Sequence, residues 1–211
     1  RVIAAKKRTD LRNHDYYTYD KYQKITLAIN DLKPETLKNK FFKRRKYLQD
    51  QVETSPYNNK LVLPLSVDET VSQHIYRKSP QKEKDIIKGQ QSTGVGKLLQ
   101  TGAILNTMLK EIFTDVDIYE DHVRLLQFPF PSPIGNTAIS FYHFYIDDTV
   151  YVDRDKCIHL DFIPANSQDF GFRGELWVLA DSTLHVKKCN LYMPHKSAID
   201  WVNDMKIEQE Y

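Results

Sequence analysis

The sequence predicts an α+β fold in which a curved antiparallel sheet is wrapped around or capped by helices. Two observations carry this prediction. From residue 116 onward the chain consists almost entirely of strand-like patterns separated by tight turns, which indicates consecutive hairpins. Only two earlier segments, residues 34–54 and 97–113, are predicted to be long helices, and the sheet needs a cover. With 211 residues, 41% of them hydrophobic, the chain can bury a core as a single domain spanning residues 1–211.

The first half of the chain mixes helices and strands. Residues 1–9 are predicted to be the end of a helix, and residues 16–29 alternate with a period of two, which indicates a long strand. Pro34 suits the first turn of the predicted helix over residues 34–54. Residues 61–65 and 69–77 are predicted as two short strands. The polar stretch 78–97 is predicted as a connection or an exposed flap, and the apolar stripe that follows indicates the helix over 97–113.

The second half is predicted to be a meander. Residues 116–126 and 139–146 are expected to be strands around a proline-rich segment. One hairpin is expected where residues 150–152 and 157–162 flank an Asp-rich turn. A second is expected where residues 176–180 and 184–192 flank residues 181–183. A last strand is expected over residues 201–211.

The two cysteines do not form a disulfide framework. Cys157 and Cys189 both fall in predicted strands, and we expect two buried small hydrophobic side chains. A single bridge between them stays open as an alternative in an oxidising compartment.

The net charge of +2 conceals an uneven distribution. Residues 1–46 carry 14 Lys and Arg against 5 Asp and Glu, while the remainder carries 16 against 23. The densest basic run is a surface basic patch of Lys43, Arg44, Arg45 and Lys46, next to aromatic residues. Such a patch could bind anionic lipid or lipopolysaccharide, and the alternative is a solvated surface balanced by the acidic remainder.

No motif for catalysis, cofactor binding or metal binding is found in the sequence. Gly94 and Gly96 precede Lys97, but the earlier glycine and the following Ser or Thr of a phosphate loop are absent. The seven histidines are scattered, and the acidic residues at 147–148 and 153–155 are expected to solubilise turns rather than bind calcium. We therefore expect no catalytic residues, no metal, no cofactor and no enzyme activity. No apolar run is long enough for a transmembrane segment.

Aromatic residues are the most unusual feature, with 13 tyrosines and 10 phenylalanines. They predict either an aromatic core beneath the helices or an apolar groove for an acyl chain or a partner segment. The candidate lining residues of such a groove are Phe141, Tyr145, Phe162 and Trp177.

Several strings resemble a known family in the same order along the chain. They are residues 4–8, 17–24, 63–72, 132–134, 141–146, 160–164, 172–178 and 207–211. Together they resemble the middle domain of a Bacteroidota family of outer-membrane proteins of unknown function. Its members carry an N-terminal carboxypeptidase-regulatory-like domain and a C-terminal barrel-like region. Residues 172–192 also resemble the late strands of periplasmic lipoprotein carriers, which are open half-barrels with helices plugging the concave face.

The resemblance implies a domain excised from a larger multidomain envelope protein, at the periplasmic face of the outer membrane. It supplies no catalytic residues. The first hypothesis is a non-catalytic module that binds a lipid, a lipoprotein acyl chain or a partner segment in the concave face of the sheet. The alternative is a structural adaptor that positions a membrane barrel relative to an N-terminal domain and has no ligand of its own. The expected partners are the flanking domains, with lipid or lipoprotein in the first hypothesis, and no nucleic acid.

Overall fold

The computed structural model describes residues 1–30, 32–55, 59–94, 116–125, 128–193 and 205–211. The predicted helix over 97–113 and the first residues of the predicted last strand lie outside these ranges. The chain divides into two compact units. The first unit comprises Arg1–Asn13 and Lys110–Tyr211, and the second unit comprises His14–Leu109. The expectation of one domain stays a prediction, and the units are described separately.

The elements are numbered here in chain order. The helices are α1 (Val2–Thr9), α2 (Pro34–Leu37), α3 (Lys40–Lys43), α4 (Lys46–Gln49) and α5 (Ala138–Phe141). The strands are β1 (Tyr16–Ile29), β2 (Glu53–Thr54), β3 (Leu61–Arg77), β4 (Lys82–Thr93), β5 (His122–Leu125), β6 (Phe128–Pro131), β7 (Tyr142–Val152), β8 (Asp155–Pro164), β9 (Arg173–Leu179), β10 (Val186–Tyr192) and β11 (Lys206–Glu210). The fold is α+β with open antiparallel sheets, as the sequence predicts.

The first unit contains a five-stranded antiparallel sheet in the order β11-β10-β9-β8-β7. Both predicted hairpins are confirmed, because β7 pairs with β8 and β9 pairs with β10. Asp153 adopts a positive φ of 54° in the first turn, and Asp181 accepts a backbone hydrogen bond from Thr183 in the second. Aspartate suits both places, since its short polar side chain stabilises turns locally.

One face of this sheet is buried in the main core. Residues that pair directly on adjacent strands lie on the same face of a sheet, so Leu160 and Leu176 share one face. Apolar side chains of β8, β9 and β10 meet there with residues from the segment before β7. The buried members of this core are Ile118, Tyr119, Val123, Leu125, Phe130, Ile134, Ala138, Tyr142, Phe162, Phe172, Leu176, Val178, Val186, Cys189, Leu191 and Met193.

Among the described residues, the buried face is covered by one helix together with a hairpin and turns, and the predicted helix over 97–113 lies outside these residues. Val2 and Ile3 of α1 pack against the core, so a helix does contribute. The other described contributors are the β5–β6 hairpin and the turns that follow it, through residues such as Val123 and Phe130. The predicted strand over 139–146 begins later than expected, because Ala138–Phe141 forms one helical turn before β7.

The second unit is dominated by long paired strands. β1 pairs with β3 along its whole length, and β3 also pairs with β4 and with the short β2. The prediction of two short strands, 61–65 and 69–77, is wrong, because β3 continues through residues 66–68 between them. The predicted flap is wrong as well, since most of it forms β4. β4 is exposed along nearly all of its length, so no hydrophobic alternation marked it as a strand.

The predicted helix over residues 34–54 is broken into α2, α3 and α4, followed by β2. Asn39 caps α3 by accepting a hydrogen bond from the backbone N–H of Phe42, so its side chain starts a new helix. Phe42 and Leu48 are buried with Leu63 in a small separate core.

Candidate functional site

The structure places the four predicted lining residues on different surfaces of the first unit. Phe162 is fully buried and packs edge-on against Tyr142 at a centroid distance of 5.2 Å. Phe141 is half-buried against the same core and lies over Gly171. Tyr145, in contrast, is 53% exposed.

Trp177 lies on the opposite face of the sheet from Phe162. Phe162 pairs with Gly174 across the β8–β9 ladder, whereas Trp177 pairs with His159. Positions 159 and 162 differ by an odd number of residues, so their side chains point to opposite faces. Phe141 and Phe162 therefore share the core, while Trp177 belongs to the other face, and the four residues do not line one groove.

The basic patch lies at the junction of α3 and α4. Lys43, Arg44 and Lys46 are exposed, and Arg45 is half-buried with its guanidinium 4.5 Å from the centroid of the Phe41 ring. The face of an aromatic ring attracts a cation, so this stacking holds the Arg45 side chain in place. The patch therefore presents three exposed positive charges beside an aromatic side chain.

A depression in the first unit is polar rather than apolar. Its lining includes Lys6, Arg12, Asp121 and Glu120. These charges are paired among themselves, with Lys6 Nζ 3.2 Å from Asp121 and Arg12 3.3 Å from Glu120. The depression does not supply the apolar groove that the aromatic residues suggested.

The face of the five-stranded sheet opposite the core carries a dense group of polar and aromatic side chains. We call this group the polar cluster. Its members come from four neighbouring strands and are Asp147, His159, Asp161, Glu175, Trp177, Asn190 and Tyr192. The β-sheet register brings them together, because paired residues on adjacent strands lie side by side on one face.

His159 lies at the centre of the polar cluster. Its ring stacks on Trp177 with centroids 4.6 Å apart and planes 15° from parallel. Its Nδ1 lies 3.2 Å from Asp147 Oδ2. Its Nε2 lies 3.6 Å from Glu175 Oε1 and 3.9 Å from Asp161 Oδ1, which are too long for hydrogen bonds.

Two further residues of the polar cluster hold the second carboxylate oxygen of Glu175. Its Oε2 accepts hydrogen bonds from Asn190 Nδ2 and from the Tyr192 hydroxyl, each at 2.9 Å. Burial, followed by this hydrogen bond to a carboxylate, raises the pKa of Tyr192 above its ordinary value, so the hydroxyl keeps its proton. The carboxylate of Glu175 is thereby fixed with Oε1 directed towards His159.

Three side chains of the polar cluster are able to hold a metal ion together. One ligand atom each from His159, Asp161 and Glu175 lies within 4.8 Å of the others. The sequence analysis missed this group. The alternation of His159 and Asp161 along one strand was visible, but Glu175 joins them only through the β8–β9 register, which the intervening loop does not reveal.

The cysteines are both buried and both free, as small hydrophobic residues in strands were expected to be. Burial raises the pKa of the Cys157 and Cys189 thiols above the ordinary value, so both stay protonated and weakly nucleophilic. Among the described residues, no helix is long and apolar enough to cross a membrane.

The fold and its surfaces define an α+β protein built on open antiparallel sheets, with an aromatic core under one sheet and a polar cluster on its other face. The chain belongs to the family of unknown function DUF5686, whose family model matches residues 1–211. No curated protein and no solved structure matches the chain.

Proposed function

We propose that this chain is a non-catalytic structural adaptor, a module at the periplasmic face of the outer membrane that positions neighbouring parts of a larger envelope protein. The observation that carries the proposal is the packing of the main core. Phe162, one of the four candidate lining residues, is fully buried among protein side chains. A close-packed core of this kind stabilises a rigid module rather than accommodating an acyl chain.

The surface supplies a second argument for an adaptor. β7 carries three large apolar side chains that are largely outside the core: Tyr145 is 53% exposed, Ile146 76% and Tyr151 71%. Neighbouring strand residues point to opposite faces, so Tyr145 and Ile146 expose apolar surface on both faces of β7, and exposed apolar side chains occur where a protein contacts other parts of itself or another protein. We expect β7 to contact a neighbouring part of the full-length protein.

Ligand binding tests the adaptor against the apolar-ligand hypothesis. The purified chain would be examined by native mass spectrometry and titrated with dansyl-labelled palmitate. The adaptor predicts no bound acyl chain and no saturable rise in fluorescence. A stoichiometric acyl adduct, displaced by unlabelled palmitate and lost in Phe162→Leu, would overturn the adaptor in favour of the carrier.

Replacing exposed apolar residues of β7 tests whether this strand is a contact surface. The double variant Ile146→Ser and Tyr151→Ser would be made in the isolated chain and in the full-length protein. We expect the melting temperature of the isolated chain to stay unchanged while protease sensitivity of the full-length protein rises. Asp148→Ser, an exposed change on the same strand, is the control. Equal protease sensitivity of the wild type and the double variant would count against β7 as the contact surface.

The basic patch supports a second candidate function, which is contact with an anionic lipid surface. Lys43, Arg44 and Lys46 are exposed side by side, and Phe41 and Tyr47 beside them are 46% and 44% exposed. Basic residues near an anionic membrane each contribute about 1 kcal/mol, and aromatic side chains suit the interface. The combination fits a lipid headgroup region better than free solvent.

Vesicle co-sedimentation tests this second function. We expect the chain to bind vesicles of phosphatidylglycerol and phosphatidylcholine, but not phosphatidylcholine alone, and to dissociate as salt screens the charges. Replacing Lys43, Arg44, Arg45 and Lys46 by Gln should abolish binding. As a charge-matched pair, Lys43→Gln/Arg44→Gln should weaken binding and Lys82→Gln/Lys84→Gln on β4 should not. Equal loss in both pairs would show an effect of net charge and contradict a specific patch.

A further inference from the structure

We propose that His159, Asp161 and Glu175 form a binding site for a divalent first-row transition-metal cation, with zinc bound more tightly than manganese. The site goes beyond the adaptor role and does not depend on it. No metal was expected from the sequence, in which the seven histidines, His159 among them, are scattered, and His159, Asp161 and Glu175 were not predicted as a group of ligands.

The β8–β9 register places the three ligands on one face. Asp161 stands directly opposite Glu175 in the ladder. His159 lies two residues before Asp161, so it points to the same face and is diagonal to Glu175. Their ligand atoms lie within 4.8 Å of one another. The grouping follows from the pairing of β8 with β9.

The hydrogen bonding of His159 points to a cation. Its contact with Asp147 assigns the proton to Nδ1, because a carboxylate oxygen accepts. Nε2 then carries a lone pair, and it faces oxygens of Asp161 and Glu175 that are acceptors too. Nε2 is buried and has no hydrogen-bond partner among the described residues. A cation between the three atoms would satisfy all of them.

The surroundings match the outer shell of a metal site. Histidine ligands usually donate their other N–H to a carboxylate, which fixes the tautomer and the ring orientation, as Asp147 does here. Glu175 is oriented by Asn190 and Tyr192 through its other oxygen. Asn190 is only 4% exposed, and its Oδ1 is a second buried polar atom without a hydrogen-bond partner in the described part of the chain.

The charge of the site also favours a cation. Within the described ranges, neither Asp161 nor Glu175 forms an ion pair with a lysine or arginine, and His159 is the partner of both. The ammonium of Lys188 lies over the Trp177 ring, 5.4 Å from its centroid. The two carboxylates can therefore bind a metal cation in place of a lysine or arginine.

The ligand set selects the class of metal. Calcium and magnesium prefer oxygen ligands throughout, whereas an imidazole together with carboxylates suits zinc and manganese. Zinc bonds of about 2.1 Å in a tetrahedral arrangement place ligand atoms about 3.4 Å apart. The observed 3.6 and 3.9 Å from Nε2 need a small contraction, and the carboxylate oxygens of Asp161 and Glu175, which lie within 4.8 Å of each other, would approach as well. The Asp161 side chain is 49% exposed, so a cation can enter from solvent and retain water as a further ligand.

A proton on Nε2 is the competing occupant, because a charged imidazole would pair with the same carboxylates. The 3.6 Å distance to Glu175 exceeds the length of a charge-assisted hydrogen bond. The two possibilities predict different responses to added zinc, so titrating the chain with zinc distinguishes a protonated Nε2 from a metal site.

Calorimetry with the chelator-treated, tag-free chain provides the test. We expect one equivalent of zinc chloride to bind, manganese chloride to bind more weakly, and magnesium chloride to give no heat. Zinc should raise the melting temperature, because it binds the folded chain preferentially. The ¹⁵N resonance of His159 Nε2 should shift on zinc addition.

Variants identify the ligands. His159→Gln and Glu175→Gln should each abolish the zinc-dependent rise in melting temperature. Asp147→Asn should weaken zinc affinity by about 10-fold or more, because Asp147 accepts the Nδ1 proton of His159 and so orients the ring. His143→Gln, an exposed histidine on β7, should leave it unchanged. Absence of zinc binding by the wild type, or equal affinity in His159→Gln and Glu175→Gln with wild-type circular dichroism, would overturn the site.

Discussion

The two units stabilise their sheets by different means. In the first unit, one face of a five-stranded sheet is buried by a large aromatic and aliphatic core. In the second unit, the strands are longer, yet the described core cluster contains three buried residues, Phe42, Leu48 and Leu63. β4 is exposed over almost its whole length. Burial organises the first unit, whereas strand pairing dominates the second.

Cross-strand contacts also stabilise the described strands of the second unit. Tyr17 stacks on Tyr76 at 4.8 Å, and the Tyr22 hydroxyl donates to Glu69 at 2.8 Å. Such pairs contribute roughly 0.2–1 kcal/mol each, far less than a buried aromatic residue. We therefore expect burial, rather than strand length, to determine stability in the two units.

The largest effect is expected from truncating the core of the first unit. Phe162→Ala should lower the free energy of unfolding by about 3–5 kcal/mol, because it removes a fully buried ring and leaves a cavity. Tyr145→Ala on the same sheet should change it by less than about 0.5 kcal/mol, since Tyr145 is exposed. Urea denaturation monitored by circular dichroism measures both. Similar losses for the two variants would contradict the assignment of Phe162 to the core.

Thiol labelling compares the units directly. An added Cβ at Gly89 on β4 meets no atom within 4 Å, so Gly89→Cys should fold normally. We expect its thiol to react with iodoacetamide about 100-fold faster than Cys157 or Cys189, which are buried and have raised pKa values. Peptide mass spectrometry after timed labelling resolves the three sites. Comparable rates would show that the sheet of the first unit opens as readily as β4.

A small effect of pH is expected at the β9–β10 turn. Hydrogen bonds from the Thr183 side chain and backbone lower the pKa of Asp181 below its ordinary value. A lowered folded-state pKa contributes stability above the unfolded pKa and loses it as the pH falls through the folded pKa. The melting temperature of the wild type should therefore fall more than that of Asp181→Asn between about pH 5 and pH 3.

Scanning calorimetry at several pH values measures this difference. Asp148→Asn, an exposed change on β7, is the control and should follow the wild type. Identical slopes for the wild type and Asp181→Asn would show that the turn does not contribute to acid sensitivity.

The parts of the fold that the sequence predicts correctly are those with a local chemical signal. The hairpins at 153–154 and 181–183 follow from aspartates that stabilise turns, and the strands around them alternate because one face is buried. β4 could not be predicted in this way. Its pairing with β3 requires no buried face, so its sequence lacks the alternation that marks a strand.

The surface features, too, could be predicted from the sequence only where their signal is local. The basic patch is contiguous in sequence and was visible, although the break at Asn39 that divides its helix was not. Tyr145, Phe162 and Trp177 lie on strands as predicted, whereas Phe141 ends the helical turn before β7, and the face to which each strand residue points depends on register. The polar cluster depends on register entirely, because Asp161 and Glu175 meet only when β8 and β9 are aligned.

Gly174 has a consequence for how relatives of this chain are recognised. A Cβ at this position would overlap the backbone carbonyl oxygen of Asn190 and lie 2.8 Å from the Phe162 ring. Shortening Phe162 would relieve the second clash, but no substitution elsewhere removes a main-chain oxygen. Glycine at position 174 should therefore be a more faithful marker of family membership than the aromatic residues around it, which can exchange with one another as long as the volume of the interior is kept.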